Sequence, residues 1–357
     1  MGKPIFFFLG SLKLGGTEVV ASRIEKGLTA RGYEVYFVLL KNTIEIPVSS
    51  SAKILYLNTE KYQNRIIKIL YAYFGLWSYY LKYKPKRIIS FSSGLNILLL
   101  FTFLPNQVFT VDTNLFWVKS KLYRRRFLKL TGFLPFVKKV IVPSNELRIR
   151  FKSYLNNKSY SKFETIYNPV PQPDVNQSTY EYSGNYLVSV GRLNRFKGYE
   201  QLIKCFAKAN FEKDVSLLIL GSGPLKKRLE ELIAELKVEG HVKLLGYVTH
   251  PYNYISSSQA LILNSSFESF GNVLVEGLTL GVPVISNDCD FGPREIITHG
   301  KNGLLYDKSK DEELIEVLES YFNNEELREN LKKHTSYKLE RFETQKITEE
   351  WIEKIIQ

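Results

Sequence analysis

Histidine, cysteine and methionine are scarce in this chain. Its 357 residues include 4 His, 2 Cys and 1 Met. The two cysteines, Cys205 and Cys289, match neither a disulfide framework nor a redox spacing, so we interpret them as buried small residues in a reducing compartment. All four histidines lie after residue 240, so the first half offers neither an imidazole base nor a Ser-His-Asp set. No His or carboxylate spacing resembles a metal site, and we expect no metal cofactor.

Long hydrophobic runs are also missing. The longest apolar run, at residues 97–104, is far too short to span a bilayer. The apolar start of the chain is too short for the core of a signal peptide. We therefore expect a cytoplasmic protein that is not integral to a membrane.

Acidic residues are rare in the first half of the chain but not in the second. Residues 1–170 hold 27 Lys and Arg against 8 Asp and Glu, whereas the remainder holds 22 against 28. Such asymmetry predicts that the first half faces an anionic partner.

The densest basic cluster lies at residues 119–139, where cations alternate with Tyr, Phe and Leu. This composition suits an anionic bilayer surface, and we predict peripheral contact with the inner face of the cell membrane. It would also suit nucleic acid, but no nucleic-acid-binding motif accompanies it, so we expect no nucleic-acid partner. An ordinary solvated basic face is the third interpretation. The predicted membrane contacts are Lys119, Lys121, Arg124, Arg125, Arg126 and Lys129.

The order of strand and helix patterns predicts two α/β halves. The chain opens with an apolar strand, a Gly-rich loop, a helix at 17–31 and another strand, and a similar alternation restarts at residue 186. Three prolines within 166–174 and a polar stretch to 184 indicate a linker. We predict two doubly wound parallel sheets of Rossmann type, with domains at 1–170 and 185–340, a linker at 171–184 and a terminal helix at 341–357.

Polar residues that could bind a ligand follow several predicted strands. Gly16 and Glu18 lie in the motif G-G-T-E at a helix start, where the backbone can closely approach a phosphate or sugar, although a tight turn explains the motif equally well. Arg192 and Lys197 lie among glycines after another strand, where two cations could clamp a diphosphate. Asp112 ends a strand.

A further stretch, residues 264–287, contains two glutamates within a predicted strand–loop–helix–strand unit. The Gly-Asn pair at 271–272 places Glu268 in the loop and Glu276 on the helix, with the helix N-terminus between them available to an anion. The two carboxylates could hold two ends of one elongated polar ligand. A glycosidase pair would need both groups to flank one bond, and the eight-residue step across the junction favours ligand holding instead.

These motifs resemble the family 4 retaining glycosyltransferases. The stretch E-S-F-G-N-V-L-V-E at 268–276 is similar to the family signature E-x-F-G-x-x-x-x-E. The runs G-R-L…K-G at 191–198 and H-G-K-N-G-L-L at 299–305 also match, in the family's order. The resemblance implies the GT-B fold, in which two Rossmann-like domains face each other across the active site. It also implies that the terminal helix, at 341–357, crosses back to the first domain.

The resemblance also implies roles for individual residues. Arg192 and Lys197 would neutralise the departing diphosphate of a UDP-sugar, Glu268 would contact the donor sugar and Glu276 would hold the ribose hydroxyls. Catalysis would then consist mainly of charge stabilisation and positioning. The further residues assigned to donor binding are Gly16, Gly191, Tyr247, Phe270, Gly271 and Asn272. We assign Glu18, Asp112 and Asn114 to the acceptor side, although many relatives carry His where this chain has Asp112.

We therefore predict a retaining hexosyltransferase that moves a hexose or N-acetylhexosamine from UDP to a lipid-linked glycan or other cell-envelope acceptor. Two alternatives stay open: a sugar-nucleotide epimerase of the same fold, and a non-catalytic protein that binds membrane or nucleic acid through its basic half.

Overall fold

The computed structural model describes residues 2–13, 15–111, 122–170 and 182–357, and at 122–125 and 127 it describes the backbone alone. The chain divides into two compact units. The first consists of Met1–Val170 with Arg341–Gln357, and the second of Pro171–Glu340.

The first unit is built on a seven-stranded parallel sheet. The strand order is β3-β2-β1-β4-β5-β6-β7. The strands are β1 (Ile5–Leu9), β2 (Val35–Leu39), β3 (Lys53–Tyr56), β4 (Arg87–Ser90), β5 (Gln107–Thr110), β6 (Val137–Val142) and β7 (Phe163–Thr165). Every residue of β1 and β2 is buried, as expected for parallel strands covered by helices on both faces. β6 begins three residues before the strand predicted at residue 140.

The helices of the first unit follow its strands in turn and include the last helix of the chain. They are α1 (Gly16–Ala30), α2 (Arg65–Tyr83), α3 (Ser93–Phe101), α4 (Leu122–Thr131), α5 (Asn145–Lys152), α6 (Asn157–Tyr160) and, after the second unit, α14 (Thr344–Trp351). Side-chain caps fix several starts: the Asn64 carboxamide accepts hydrogen bonds from two α2 amides, and the Ser92 hydroxyl accepts one from α3.

The second unit contains a six-stranded parallel sheet in the order β10-β9-β8-β11-β12-β13. Its strands are β8 (Tyr186–Val190), β9 (Ser216–Leu220), β10 (Val242–Gly246), β11 (Ala260–Leu263), β12 (Val284–Asn287) and β13 (Gly303–Tyr306). Its helices are α7 (Tyr199–Lys208), α8 (Lys226–Glu235), α9 (Pro251–Ser256), α10 (Asn272–Thr279), α11 (Pro293–Ile296), α12 (Asp311–Asn323) and α13 (Glu325–Lys333). The predicted fold class, two doubly wound parallel sheets, is confirmed.

Each unit has its own apolar core. The core of the first unit joins its central strands and α1 to Ile347, Trp351, Ile355 and Ile356 from the end of the chain. The core of the second unit joins β8, β9 and β11 to α7, α8 and α12. Cys205 and Cys289 are buried and unbridged, as predicted. Among the helices described, none combines the length and the apolar content needed to cross a membrane.

Candidate functional site

The strand order of the second unit reverses between β8 and β11. β9 and β10 continue outward from β8, whereas β12 and β13 continue outward from β11. The loops at the carboxyl ends of such a strand pair diverge and leave a crevice, which is where open α/β sheets bind ligands. Here the two loops are residues 191–198, after β8, and residues 264–271, after β11.

Lys197 and Glu268 meet at this point. The Asn194 carboxamide oxygen accepts hydrogen bonds from the amides of Phe196 (2.9 Å) and Lys197 (3.3 Å), which closes a single 3₁₀ turn, Arg195–Lys197. From this turn Lys197 Nζ donates to Glu268 Oε1 over 2.6 Å, with side chains 23% and 15% exposed. The sequence predicted both residues for the site but did not predict that they pair.

Gly191 and Arg192 begin the same loop. A Cβ added at Gly191 would lie 3.3 Å from Lys197 Cε and 3.0 Å from the Tyr199 hydroxyl, so glycine leaves room for the lysine stem beside the end of β8. Arg192 is exposed, and its backbone carbonyl accepts from the Asn194 amide over 2.8 Å. The Arg192 side chain is therefore more exposed than that of Lys197.

The two loops are joined to each other by hydrogen bonds. The Ser266 amide donates to the Phe196 carbonyl over 2.7 Å, and Asn264 Nδ2 donates to the Gly198 carbonyl over 2.8 Å. The Tyr306 hydroxyl, at the end of β13, donates to Asn264 Oδ1 over 2.7 Å. Because both loops share these bonds, the positions of Lys197 and Glu268 depend on one connected framework.

Lys308 belongs to this framework, although it was not predicted from the sequence. Its Nζ donates to the Asn264 carbonyl oxygen and, over 3.2 Å, to the Ser266 hydroxyl. Burial lowers the pKa of Lys308 to about 8. Lys308 follows β13, so the rule that ligand sites form at strand ends could have marked it, but no motif surrounds it.

The helix α10 carries the second glutamate. Gly271 precedes the helix with φ 101°, a left-handed conformation that favours glycine. Glu268 lies in the loop and the half-buried Glu276 lies on α10, so this part of the prediction is confirmed. Phe270 is 2% exposed, and a Cβ added at Gly292 would overlap the Phe270 backbone. The loop before α10 is therefore packed against the turn that precedes α11.

Two further acidic side chains near Glu268 stay protonated near neutral pH. Burial, with a contribution from the Glu268 carboxylate, raises the pKa of the Cys289 thiol to about 12. Burial also raises the pKa of the Tyr199 phenol, with the same carboxylate contributing. Neither residue is therefore a base in the neutral range. Across the described ranges, no cluster of three or more His, Cys, Asp or Glu side chains could hold a metal ion.

Tyr247 lies at the same carboxyl edge of the second sheet but further from its centre. It follows β10, two strands away from β8, and its side chain is 56% exposed. The loops after β9 and β10 are linked by the Gly221 amide, which donates to the Gly246 carbonyl over 2.6 Å.

A cavity of about 230 Å³ lies at the corresponding point of the first unit. The strand order reverses there between β1 and β4. Glu18 lines the cavity, and Gly16 begins α1 beside it. The other lining residues are Leu9, Gly10, Thr17, Phe91, Ser92, Gly94 and Leu95.

Several predicted residues fall outside the described residues. These are Asp112, Asn114, Lys119 and Lys121. Arg124 and Arg125 lie on α4, where the backbone alone is described, and Arg126 and Lys129 are exposed on the same helix.

Family models match almost the whole chain. The model described as Glycosyltransferase Family 4 matches residues 14–172, and the model described as Glycosyl transferases group 1 matches residues 174–336. The two matches correspond to the first sheet and the second.

Individual relatives give the same result. The N-acetylgalactosamine-N,N'-diacetylbacillosaminyl-diphospho-undecaprenol 4-alpha-N-acetylgalactosaminyltransferase of Campylobacter jejuni is 27% identical over 98% of this chain and 98% of its own length. The lipopolysaccharide core biosynthesis glycosyltransferase LpsD of Rhizobium meliloti is 31% identical over 47% of this chain, which spans about half (48%) of that relative. The crystal structure of Anabaena HepE in complex with UDP and glucose superposes with a TM-score of 0.79, at 19% identity and 99% coverage of both chains.

Two Rossmann-like parallel-sheet units in one chain, together with this structural likeness, define a protein of the GT-B fold. The chain belongs to the family 4 glycosyltransferases.

Proposed function

We propose that this protein is a retaining glycosyltransferase that transfers a hexose or N-acetylhexosamine from a UDP-sugar to a lipid-linked glycan. The observation that carries the proposal is the Lys197–Glu268 pair on two loops that meet where the strand order of the second sheet reverses. A cation and a carboxylate at this place suit a ligand that has a diphosphate at one point and sugar hydroxyls next to it.

The proposed donor contacts extend along these two loops. Lys197 and Arg192 bind the diphosphate, and the backbone at 270–272 approaches it at the N-terminus of α10, whose dipole favours an anion. Glu268 accepts hydrogen bonds from the transferred sugar, and Glu276 accepts them from the ribose hydroxyls. Gly191 leaves room for the Lys197 stem, Gly271 provides the left-handed turn into α10, and Tyr247 stands at the outer edge of the proposed site.

In the proposed reaction, the bond between the anomeric carbon and the phosphate oxygen breaks, and the acceptor hydroxyl oxygen forms a new bond to the same face of that carbon. The acceptor proton passes to the departing phosphate oxygen, so that UDP leaves with the electron pair of the broken bond. Lys197 and Arg192 stabilise the negative charge that develops on the diphosphate. This chemistry requires neither a metal ion nor a protein base, and we expect transfer to persist in EDTA.

The proposed acceptor is a glycan on a lipid diphosphate. Support comes from the Campylobacter relative, whose name specifies a diphospho-undecaprenol acceptor and an α linkage, and from the Rhizobium relative, which is named for lipopolysaccharide core biosynthesis. The cavity beside Glu18 in the first unit would take the acceptor sugar. Asp112 and Asn114, which lie outside the described residues, are proposed as further acceptor contacts from the sequence alone. An acceptor of this kind would place the protein at the cytoplasmic face of the membrane, where the predicted basic segment at 119–129 would contact anionic lipid.

The test begins with donor choice. Thermal unfolding of the purified protein is measured with UDP-, GDP- and ADP-sugars, because a ligand that binds the native state raises the melting temperature. We expect a rise with UDP-sugars alone. Each stabilising donor is then incubated with an undecaprenyl-diphosphate-linked saccharide, and the product is examined by mass spectrometry and by NMR for its anomeric configuration.

Two outcomes would overturn the proposal. An isomeric sugar nucleotide formed from the donor without acceptor would identify an epimerase. A Glu268→Gln variant that transfers as well as the native protein would exclude the proposed site. The half-exposed Glu200 on α7 of the same unit provides the matched control, since Glu200→Gln should leave transfer unchanged.

A further inference from the structure

The helix α2 has an apolar solvent-facing side. Ile66, Phe74 and Leu81 are 68%, 65% and 63% exposed, and Ile67 and Leu70 are also exposed. Scattered apolar residues on a protein surface are ordinary, but several on one helix form a patch that requires a partner.

Helix geometry places these residues together. With 3.6 residues per turn, Ile66, Leu70, Phe74 and Leu81 fall within about 80° of one another around the axis. The two fully buried residues of the helix, Ala72 and Leu76, lie on the opposite side. A helix that only covers a core has its polar residues on the solvent side. On α2 the solvent side is apolar as well.

The surface continues beyond α2. Trp77 Nε1 donates to the Thr102 carbonyl over 3.1 Å, which joins the middle of α2 to the end of α3. Phe101 and Phe103, on either side of Thr102, are 61% and 60% exposed. The Phe103 ring lies 5.5 Å from that of Phe136, in the segment that follows α4. We call the exposed side of α2 with Phe101 and Phe103 the apolar patch.

Positive charge lies at both ends of the helix that carries the apolar patch. Arg65 begins α2, Lys82 and Lys84 lie at its end, and the helix has no acidic residue. The Lys158 ammonium lies over the exposed Phe133 ring, 5.1 Å from its centre, in the segment that also contains Phe136. The whole stretch 1–170 holds 27 basic against 8 acidic residues. Apolar side chains flanked by cations match an anionic bilayer. The acyl region of the bilayer accepts the apolar side chains, and its headgroups attract the cations.

Two other partners fit these observations less well. A second copy of this chain would bring two strongly positive surfaces together, and like charges oppose association. Nucleic acid would satisfy the cations but would leave the large aliphatic side chains of α2 without an apolar partner. Tyr and Trp, which favour the membrane–water boundary, occur on α2 at Tyr71, Tyr73, Trp77 and Tyr80.

We propose that the apolar patch docks on an anionic membrane, with α2 lying in the plane of the lipid headgroups and its exposed side inserted among the acyl chains. This proposal names the membrane partner of the proposed glycosyltransferase. It differs from the sequence prediction, which placed the contact at 119–129, because it assigns the insertion to α2. Binding by α2 does not require transfer, so the two proposals can fail separately.

The test measures binding of the full chain to vesicles by sedimentation. We expect binding to vesicles that contain phosphatidylglycerol and much weaker binding to pure phosphatidylcholine. The double variant Leu70→Asn/Phe74→Asn should bind about 10-fold or more weakly, because two apolar side chains no longer enter the bilayer. Leu236→Asn is the control, since Leu236 is an exposed leucine in the second unit. Circular dichroism checks that each variant is folded.

A second measurement does not depend on the double variant. The Phe74→Cys variant is labelled with a thiol-reactive, polarity-sensitive dye. Because Cys205 and Cys289 are buried, the dye reacts at residue 74. We expect a blue shift when anionic vesicles are added. Unshifted emission from vesicle-bound protein would overturn the proposal, as would full vesicle binding by the double variant. The native chain could instead fail to bind vesicles but form dimers or bind nucleic acid, and the double variant could lose that association. This result would overturn the membrane proposal and identify the other partner as the occupant of the apolar patch.

Transfer to a short-chain, water-soluble acceptor separates the two proposals. If the docking proposal is correct, the double variant should keep this transfer and lose transfer to acceptor embedded in vesicles. Native protein that binds vesicles but transfers no sugar would contradict the proposed function alone.

Discussion

Lys197 and Glu268 carry opposite charges that are both largely withdrawn from water. Their 2.6 Å contact offsets the cost of that desolvation. A diphosphate that reached Lys197 would replace one anionic partner of the lysine by another. The lysine would then hold the charge of the leaving group, while Glu268 became available to sugar hydroxyls. The two residues therefore pair with each other without the proposed donor, and each would contact the donor when it binds.

Replacement of Lys197 should therefore affect both transfer and stability. For Lys197→Met we expect kcat/KM to fall about 100-fold or more, because a preorganised charge is lost at the leaving group. The free energy of unfolding should fall by about 1–3 kcal/mol, because the largely buried Glu268 carboxylate loses the cation that offsets its desolvation. Initial rates and urea denaturation measure the two quantities. Lys204→Met, at an exposed position on α7, is the control; an equal rate loss there would contradict the assignment.

Lys308 should give the protein a pH-dependent stability. Burial lowers its pKa from the ordinary 10.5 to about 8 in the folded state. Between these values the unfolded chain binds a proton that the folded chain does not, so this group makes stability rise with pH. The difference in unfolding free energy between native protein and Lys308→Met should be level below pH 8 and should increase from there to pH 10.5. Urea denaturation across this range measures it, and a level or decreasing difference would contradict the prediction.

At the scale of elements, the site depends on close contact between two loops. Gly198 has φ +64°, and a Cβ added there would overlap the Asn264 carbonyl and Lys308 Nζ. A side chain at this position would therefore force the loop after β8 away from the loop after β11. The glycine serves the framework in two ways, through its left-handed conformation and through the space it leaves.

Gly198→Ala should weaken both stability and donor binding. We expect a loss of about 1–3 kcal/mol in unfolding free energy, from the strained backbone and the displaced loop, and a higher Kd for the UDP-sugar identified above. Denaturation and calorimetry measure the two effects. Gly240→Ala is the matched control, because an added Cβ there meets nothing within 4 Å. Unchanged donor affinity in Gly198→Ala would show that the two loops do not act together.

The elements that the sequence predicted correctly are those with strong local signals. Apolar runs followed by glycine marked β1 and β8, an apolar run between polar residues marked β11, and the Gly-Asn pair marked the start of α10. The edge strands β3 and β7 were missed, since they are only four and three residues long and each includes a charged residue. The pairing of Lys197 with Glu268 was missed for another reason. It depends on β8 and β11 lying side by side, a contact between residues 71 positions apart.

On the scale of the whole molecule, the chain combines two units of similar architecture and opposite charge. The excess of basic residues up to residue 170 was evident from composition, and the structure adds that α2 in this part has an apolar exposed side. Composition could not reveal that side, because the apolar residues of α2 equally fit a helix buried all round.

The end of the chain belongs to the first unit. Arg341–Gln357 groups with Met1–Val170, and Arg87 Nε donates to the Ile355 carbonyl over 2.7 Å. Trp351 is 2% exposed, and its ring stacks 6.4 Å from that of Phe91. The last helix therefore completes a core that begins with β1, and residues at opposite ends of the chain contribute to the same cooperative unit.

Trp351→Ala should accordingly destabilise the first unit. Loss of a buried tryptophan typically costs about 3–5 kcal/mol, through lost burial and the cavity that remains. The neighbouring Phe91 lines the cavity beside Glu18, so proposed acceptor binding should weaken along with stability. Hydrogen exchange measured by mass spectrometry distinguishes the units: protection should fall in β1, β4 and α1 and be retained in β8 and β11. Glu353→Ala, at an exposed position two residues away, is the control. Equal loss of protection in both sheets would instead show that the two units unfold as one.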